Sequence, residues 1–182
     1  MREKTLQETT VFQGRLIRVH VDDVELENGV QAKREIVDHP GGVSVAVLTP
    51  KNELLLVRQF RCPYKEELLE LPAGKREPGE DPFEAVKREQ LEETGTTGKH
   101  YVSLGNVYPT PGYCGEIIRL WACRVDQDTG ELSLDPDEFL HNLRIPLDEA
   151  VQMVLRNEIP DSKTQIGILK TAQLVAQNLL PL

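Results

Sequence analysis

Apolar and polar positions alternate from early in the chain. Thr9 to Phe12 and Leu16 to Leu26 carry the pattern of half-buried strands, with Ile17, Val19 and Val21 on one face. Glu27-Asn28-Gly29 marks a tight hairpin, and Val30 to Val37 returns as a third strand. Gly41-Gly42 introduces the apolar run Val43 to Leu48, and the turn Pro50-Lys51-Asn52 separates it from Glu53 to Phe60. A short strand, Leu68 to Leu71, leads into Pro72-Ala73-Gly74. From Pro82 the period lengthens to that of a helix, which should run to Thr94 with Phe83, Val86 and Leu91 as its apolar stripe. Tyr101 to Val107 and Ile117 to Val125 read as strands around the turn-rich loop Tyr108 to Gly115. Asp126 to Asp137 is acidic and turn-rich. Two helices close the chain. Pro146 to Asn157 carries a stripe of Ala150, Val151, Val154 and Leu155, and Ser162 to Leu180 one of Ile166, Leu169, Ala172, Val175 and Leu179.

This order predicts an α/β (α+β) sandwich, a mixed sheet packed between helices. Residues 1–39 form a small antiparallel sheet set before a main domain, 40–182. Three strands bury little core of their own. The small sheet must therefore lean on the main domain or on a second copy, which predicts a homodimer.

The central helix has clear punctuation. Asp81 is its N-cap, Pro82 fills the first helical position, and Glu84 stands at capping-box spacing. Gly95 suits the left-handed residue that ends it. At 100° per residue Glu89, Glu92 and Glu93 share one face, with small Ala85 beneath them. At ~5 Å and an effective dielectric of ~20, each like-charge pair repels by roughly 3 kcal/mol. A solvated acidic face screened by Arg88 and Lys87 is one explanation for such crowding. Hard divalent cations are the other, because they take carboxylate oxygens together with substrate phosphates.

Composition narrows the choice. The chain has 182 residues, 39% hydrophobic and 28% charged, enough for one main globular domain and an appendage. A net charge of −9 argues against binding nucleic acid through its backbone. Cys62, Cys114 and Cys123 are odd in number and lack metal-type spacing, which fits reduced thiols and a cytoplasmic setting. The polar start MREKTLQETT is no signal peptide, and no apolar run approaches the ~18 residues that span a bilayer. His20, His39, His100 and His141 share no spacing.

Spacing decides between the two explanations of the acidic face. Gly74 is followed by Glu80, Arg88-Glu89, Glu92-Glu93 and Gly95 with intervals of five, seven, two and one residues. A chance match at all these positions is on the order of 10⁻⁸ per start site. The stretch resembles the Nudix box of the Nudix hydrolases. Gln90 and Thr96 depart from it, standing where the family usually has aliphatic residues. Over nearly its whole length the chain is similar to the ADP-ribose pyrophosphatase branch of that family. Three features carry this likeness: the sheet ahead of the box, the segments Val57 to Arg61 (VRQFR) and Leu69 to Gly74 (LELPAG), and Thr110 to Glu116 (TPGYCGE). In the last, Pro111 follows Gly95 by sixteen residues, where the branch has its marker proline.

The resemblance implies the Nudix α/β/α sandwich and hydrolysis of a diphosphate bond, for ADP-ribose to AMP and ribose 5-phosphate. It implies two or three Mg²⁺ ions, or Mn²⁺, held by Glu89, Glu92, Glu93 and the backbone carbonyl of Ala73. The catalytic set is then Glu93, Glu89 and a general base from a mobile loop, for which Glu138 is the candidate. Glu80 and Arg88 become an ion pair of the box, and Gly74 and Gly95 its turns. Glu35, Arg58, Arg61, Glu70, Pro111 and Glu116 match substrate-side positions. A strand-end salt bridge to Glu70 is the alternative role for the arginines. Tyr64 and Tyr113 are candidates to stack on a base. The branch commonly exchanges its N-terminal sheet between two subunits. Two other functions remain open: hydrolysis of another derivative, such as GDP-mannose, NADH or a flavin dinucleotide, and a non-catalytic ADP-ribose sensor. Intact box acids weigh against the sensor.

Overall fold

The computed structural model describes residues 2–134 and 139–181, so Glu138 lies outside the described residues. The chain divides into two compact units, 1–41 with 108–117, and 42–107 with 118–182.

The first unit is an antiparallel sheet of β1 (Lys4–Gln13), β2 (Arg18–Glu25) and β3 (Gln31–Asp38), in that order. Gly29, at φ 78°, makes the hairpin between β2 and β3, where the Asn28 side chain accepts from Val30 N. Strand β1 is exposed throughout, and β2 buries His20, Asp22 and Val24. This reverses the expectation for β2, since Ile17, Val19 and Val21 are only half-buried. Hydrophobicity alone picks the apolar face. Here the polar face goes inside because its charges satisfy one another. The segment 108–117 joins this sheet, with Val37 N donating to Tyr113 O at 2.8 Å and Gly115 N to Val37 O at 2.9 Å.

The second unit is built on a seven-stranded mixed sheet. Its strands are β4 (Gly42–Leu48), β5 (Glu53–Arg61), β6 (Glu66–Glu70), β7 (Ala73–Lys75), β8 (Thr96–Val107), β9 (Ile118–Asp128) and β10 (Leu140–Pro146). The main order is β10-β5-β4-β9-β8, with β6 on β5 and β7 on β4. Among the described strands of this sheet only β4 and β9 pair in parallel. Every residue of β4 is buried, and its alternation sorts two cores. Val43, Val45 and Val47 pack with Ala85 and Val86 of α1 (Pro82–Thr94). Ala46 and Leu48 join a larger core with Ala150 and Val154 of α2 (Leu147–Leu155) and Ile168 of α3 (Ser162–Ala176). The sheet thus has helices on both faces, the expected α/β/α sandwich.

Some elements differ from expectation. Strand β10 carries too little apolar periodicity to announce itself, and β7 reads in sequence as a turn. Leu91 and Leu155 are exposed, so the stripes of α1 and α2 are narrower than their apolar residues suggest. Helix α3 ends at Ala176 and turns Thr164, Gly167, Ile168 and Thr171 inward, leaving Leu169 and Leu179 exposed. Gly167 lies close to Leu71: a Cβ there would fall 2.3 Å from Leu71 Cδ1, so a larger residue would have to displace that side chain.

Candidate active site

Helix α1 is fixed at both ends as its sequence requires. The Asp81 carboxylate accepts from Phe83 N at 2.9 Å and Glu84 N at 3.3 Å. Gly95 adopts φ 65° and donates to Leu91 O. Glu84 accepts from Lys87 rather than closing a capping box. Between these caps lie the box acids. Glu89 is 8% exposed and Glu93 2%. Glu93 Oε2 accepts from Ala73 N at 2.8 Å. The Glu89 carboxylate lies where a Cβ on Gly74 would be, which is why that position has no side chain. Strand β7, paired with β4 through Val43↔Gly74 and Ser44↔Ala73, therefore forms the floor on which both acids rest.

Arg88 balances the acids. Its Nε and Nη2 donate to the two oxygens of Glu80 at 2.9 and 3.1 Å, and its Nη1 reaches Glu89 Oε1 and Glu92 Oε2, each at 2.9 Å. Nη2 also meets Lys75 O at 3.2 Å. These contacts raise the guanidinium's pKa, through Glu80 first, and Arg88 holds the Glu80 carboxyl below its ordinary value. Glu80 is tied further by Glu77 N, and its carbonyl accepts from Arg76. One cation thus spans Glu80, Glu89 and Glu92. The remaining donors are oxygens, the set that suits a hard divalent ion. By donor chemistry the carboxylates of Glu89, Glu92 and Glu93 suit such an ion.

Gln90 and Thr96 form a buried polar cluster. Gln90 Nε2 donates to Thr96 Oγ1 at 3.1 Å, and Gln90 Oε1 accepts from Tyr101 at 2.7 Å and Cys123 at 3.3 Å. Thr94 Oγ1 donates to Gln90 O at 2.6 Å and lies 2.7 Å from Thr96 Oγ1. The two departures from the box pattern therefore satisfy each other. Burial pushes the Cys123 thiol up to about 12 and keeps it inert.

A second charged group lies in the same unit. Glu70, 1% exposed, accepts from Arg61 Nε at 2.6 Å and Nη2 at 2.7 Å, and from Lys163 Nζ. Burial pushes its carboxyl up, but Arg61 and Lys163 together carry it below the ordinary value. Arg61 is thus held by Glu70, the salt bridge weighed as its alternative role, while Arg58 is exposed. Lys163 is absent from the residues picked out by sequence. Its signal was a cation in the first turn of a helix, where the dipole disfavours positive charge.

In the first unit Glu35 and Pro111 are exposed, and Glu116 Oε1 lies 3.4 Å from His39 Nδ1. Tyr64, in the second unit, and Tyr113, in the first, are both exposed. Among the described residues, Glu8, His20 and Asp22 bring a carboxylate or imidazole atom within 4.8 Å of one another. Arg18 already pairs with Glu8 and Asp38 around this group. His20 Nδ1 donates to Asp22 Oδ1 at 2.7 Å, and the contact raises the imidazole pKa.

The NUDIX domain family model matches residues 38–165, and a model described as the nucleoside diphosphate sugar hydrolase N-terminal domain matches residues 3–37. The chain is 41% identical to a methanol dehydrogenase activator of Bacillus methanolicus, over 91% of this chain and 90% of that one. It is 38% identical to an ADP-ribose pyrophosphatase of Bacillus subtilis (92% and 91% covered) and 32% identical to a GDP-mannose pyrophosphatase of Yersinia enterocolitica (81% and 82%). A crystal structure of an ADP compounds hydrolase shares the fold with a TM-score of 0.81 at 22% identity, over 97% and 96% of the two chains.

Proposed function

The chain belongs to the Nudix hydrolases, and from that premise we propose that it splits the diphosphate bond of ADP-ribose to AMP and ribose 5-phosphate in a Mg²⁺-dependent reaction. The observation that carries this reading is the seating of Glu89 and Glu93, buried against β7, with Arg88 as the counter-cation of Glu89. The Bacillus subtilis relative named as an ADP-ribose pyrophosphatase supports the choice of substrate. The Yersinia relative favours GDP-mannose as the second reading.

Glu89, Glu92, Glu93 and the Ala73 carbonyl would hold the ions, two or three of them, with Mn²⁺ able to replace Mg²⁺. Ions held by these residues would supply charge to neutralise the diphosphate and to lower the pKa of the attacking water. Glu93 keeps its carboxylate oriented through Ala73 N, and Glu89 through Gly74 and Arg88. Arg61, forked on Glu70, offers its remaining donors to a phosphate oxygen. Glu138 is the candidate acceptor of the water's proton. Arg58, Glu35, Pro111 and Glu116 remain candidate substrate contacts.

Residues 1–39 act as a dimerising sheet ahead of a catalytic domain, 40–182. Leu6, Val11, Phe12, Leu16 and Val30 are exposed apolar residues of the first unit and favour a homodimer. All three cysteines are free thiols, in keeping with a cytoplasmic enzyme. Among the described residues no helix is long and apolar enough to cross a membrane.

A substrate panel tests the reading. ADP-ribose, GDP-mannose, NADH and flavin dinucleotide are incubated with Mg²⁺, with and without a chelator, and products are resolved by chromatography. AMP from ADP-ribose, abolished by the chelator and faster than turnover of the other three, is the expected result. No metal-dependent turnover of any of the four would overturn it.

A further inference from the structure

Glu70 is an unusual place for a charge. It is 1% exposed, and a carboxylate removed from water is stable as an anion only when cations and donors replace the lost solvent. Arg61 supplies one cation, in a side-on fork through Nε and Nη2. The fork leaves Nη1 uncommitted to Glu70, and the Arg61 side chain is 38% exposed. Lys163 supplies the second cation, on the same Oε2 that Arg61 Nη2 reaches. Its ammonium is buried, bonded to Glu70 Oε2 and, at 3.0 Å, to Asp161 Oδ2. The order Arg61, Glu70, Lys163, Asp161 alternates in sign, with the two buried members between two partly exposed ends.

The Asp161 end of this series is anchored firmly. Asp161 caps α3, accepting from Thr164 N at 2.9 Å. Thr164 Oγ1 in turn accepts from Leu71 N at 2.9 Å, next to Glu70. Gly167 lets the helix close on Leu71. The first turns of α3 thus grip residues 70–71 at three points, immediately before Ala73 and Gly74, which seat the box acids.

We propose that Lys163 is a positioning residue for substrate binding: by holding Glu70 charged and fixed, it sets the direction in which Arg61 presents its free guanidinium edge to a nucleoside diphosphate. This deepens the hydrolase reading and rests on it. Without Lys163, Glu70 is a buried acid with a single counter-cation. Its Oε2 then keeps only Arg61 Nη2, and the carboxylate and the guanidinium forked on it can shift together as a pair. That motion moves Arg61 without touching the box acids. The effect belongs to binding rather than to the chemical step. A role confined to stability would lower the melting temperature and leave substrate affinity unchanged.

The test combines Lys163→Met, Lys163→Arg, Arg61→Ala and the double variant Lys163→Met/Arg61→Ala. Steady-state rates are measured on ADP-ribose with Mg²⁺, and the affinity for ADP by calorimetry without metal. Lys163→Met should raise KM and the Kd for ADP about tenfold with kcat within threefold of wild type. Lys163→Arg should recover most of the loss. In the Arg61→Ala background, Lys163→Met should add less than a twofold further change, because its effect passes through Arg61. Multiplicative losses in the double variant would overturn the proposal. So would a folded Lys163→Met whose KM and Kd match wild type. Calorimetry separates this proposal from the choice of substrate: a wild type that leaves ADP-ribose intact still reports the role of Lys163 through ADP, and a wild type that does not bind ADP contradicts it.

Discussion

Gly74→Ala places one methyl group against the centre of the site. The φ of Gly74 lies outside the left-handed region, so the backbone accepts alanine without strain. The side chain does not. A Cβ built there falls 2.0 Å from the Glu89 carboxyl carbon, against the 3.4 Å at which ordinary contact begins. Glu89 must retreat by the difference, ~1.4 Å, and in doing so it leaves the 2.9 Å contact with Arg88. Misplacing a reacting group by ~1 Å costs about 10²-fold in rate. Turnover of ADP-ribose should therefore fall by about two orders of magnitude, with a higher Mg²⁺ requirement. Folding should change little. The lost ion pair is partly solvated and contributes under ~1 kcal/mol, equivalent to a drop of about 2–4 °C for a chain of this size. Initial rates across a Mg²⁺ series, paired with thermal melts, read both effects. A folded Gly74→Ala with wild-type turnover at the wild-type Mg²⁺ requirement would refute the claim that Glu89 works from this seat.

Other perturbations have distinct outcomes. Glu93→Gln keeps an oxygen for Ala73 N but loses the charge, so turnover should drop at least ~10²-fold while the melting temperature holds or rises slightly; unfolding of this variant would speak against a ligand role. Gln90→Leu takes the acceptor from half-buried Tyr101 and one of the two partners from Thr96, and should cost about 2 kcal/mol in denaturant melts, with Gln90→Leu/Thr96→Val recovering part of the loss; an unchanged single variant contradicts the cluster. His20, its imidazole pKa raised by Asp22, with Glu8, Asp38 and Arg18 around it, adds stability that is fully present below its unfolded value of about 6.5 and is lost as pH rises through the raised folded value. Protection factors in β2, corrected for the intrinsic pH dependence of exchange, should fall over that window in wild type and not in His20→Gln.

Much of this molecule could be read from its residues, for identifiable reasons. Asp81, Pro82 and Gly95 set the ends of α1 through local backbone chemistry, which needs no partner elsewhere, and the structure keeps both ends. The runs that became β4 and β5 are apolar on both faces because helices cover both, and they too were legible. What failed depended on distant contacts. The buried face of β2 is the polar one because Glu8 and Asp38 come from the neighbouring strands to meet His20 and Asp22, a pairing hydrophobicity does not weigh. Leu91 and Leu155 look like core residues, yet nothing in a single helix says how far its partner extends. Lys163 meets Glu70 from 93 residues away, and only the fold brings them together.

The central claim is that the acids of α1 gather divalent cations. Electron paramagnetic resonance of Mn²⁺, titrated into wild type and Glu89→Gln/Glu93→Gln in the presence of ADP, measures this directly. The account predicts loss of the free-ion signal with two or three ions bound per wild-type chain, competition by Mg²⁺, and at least ~10²-fold weaker binding in the folded double variant. Equal Mn²⁺ binding by the two proteins would contradict it.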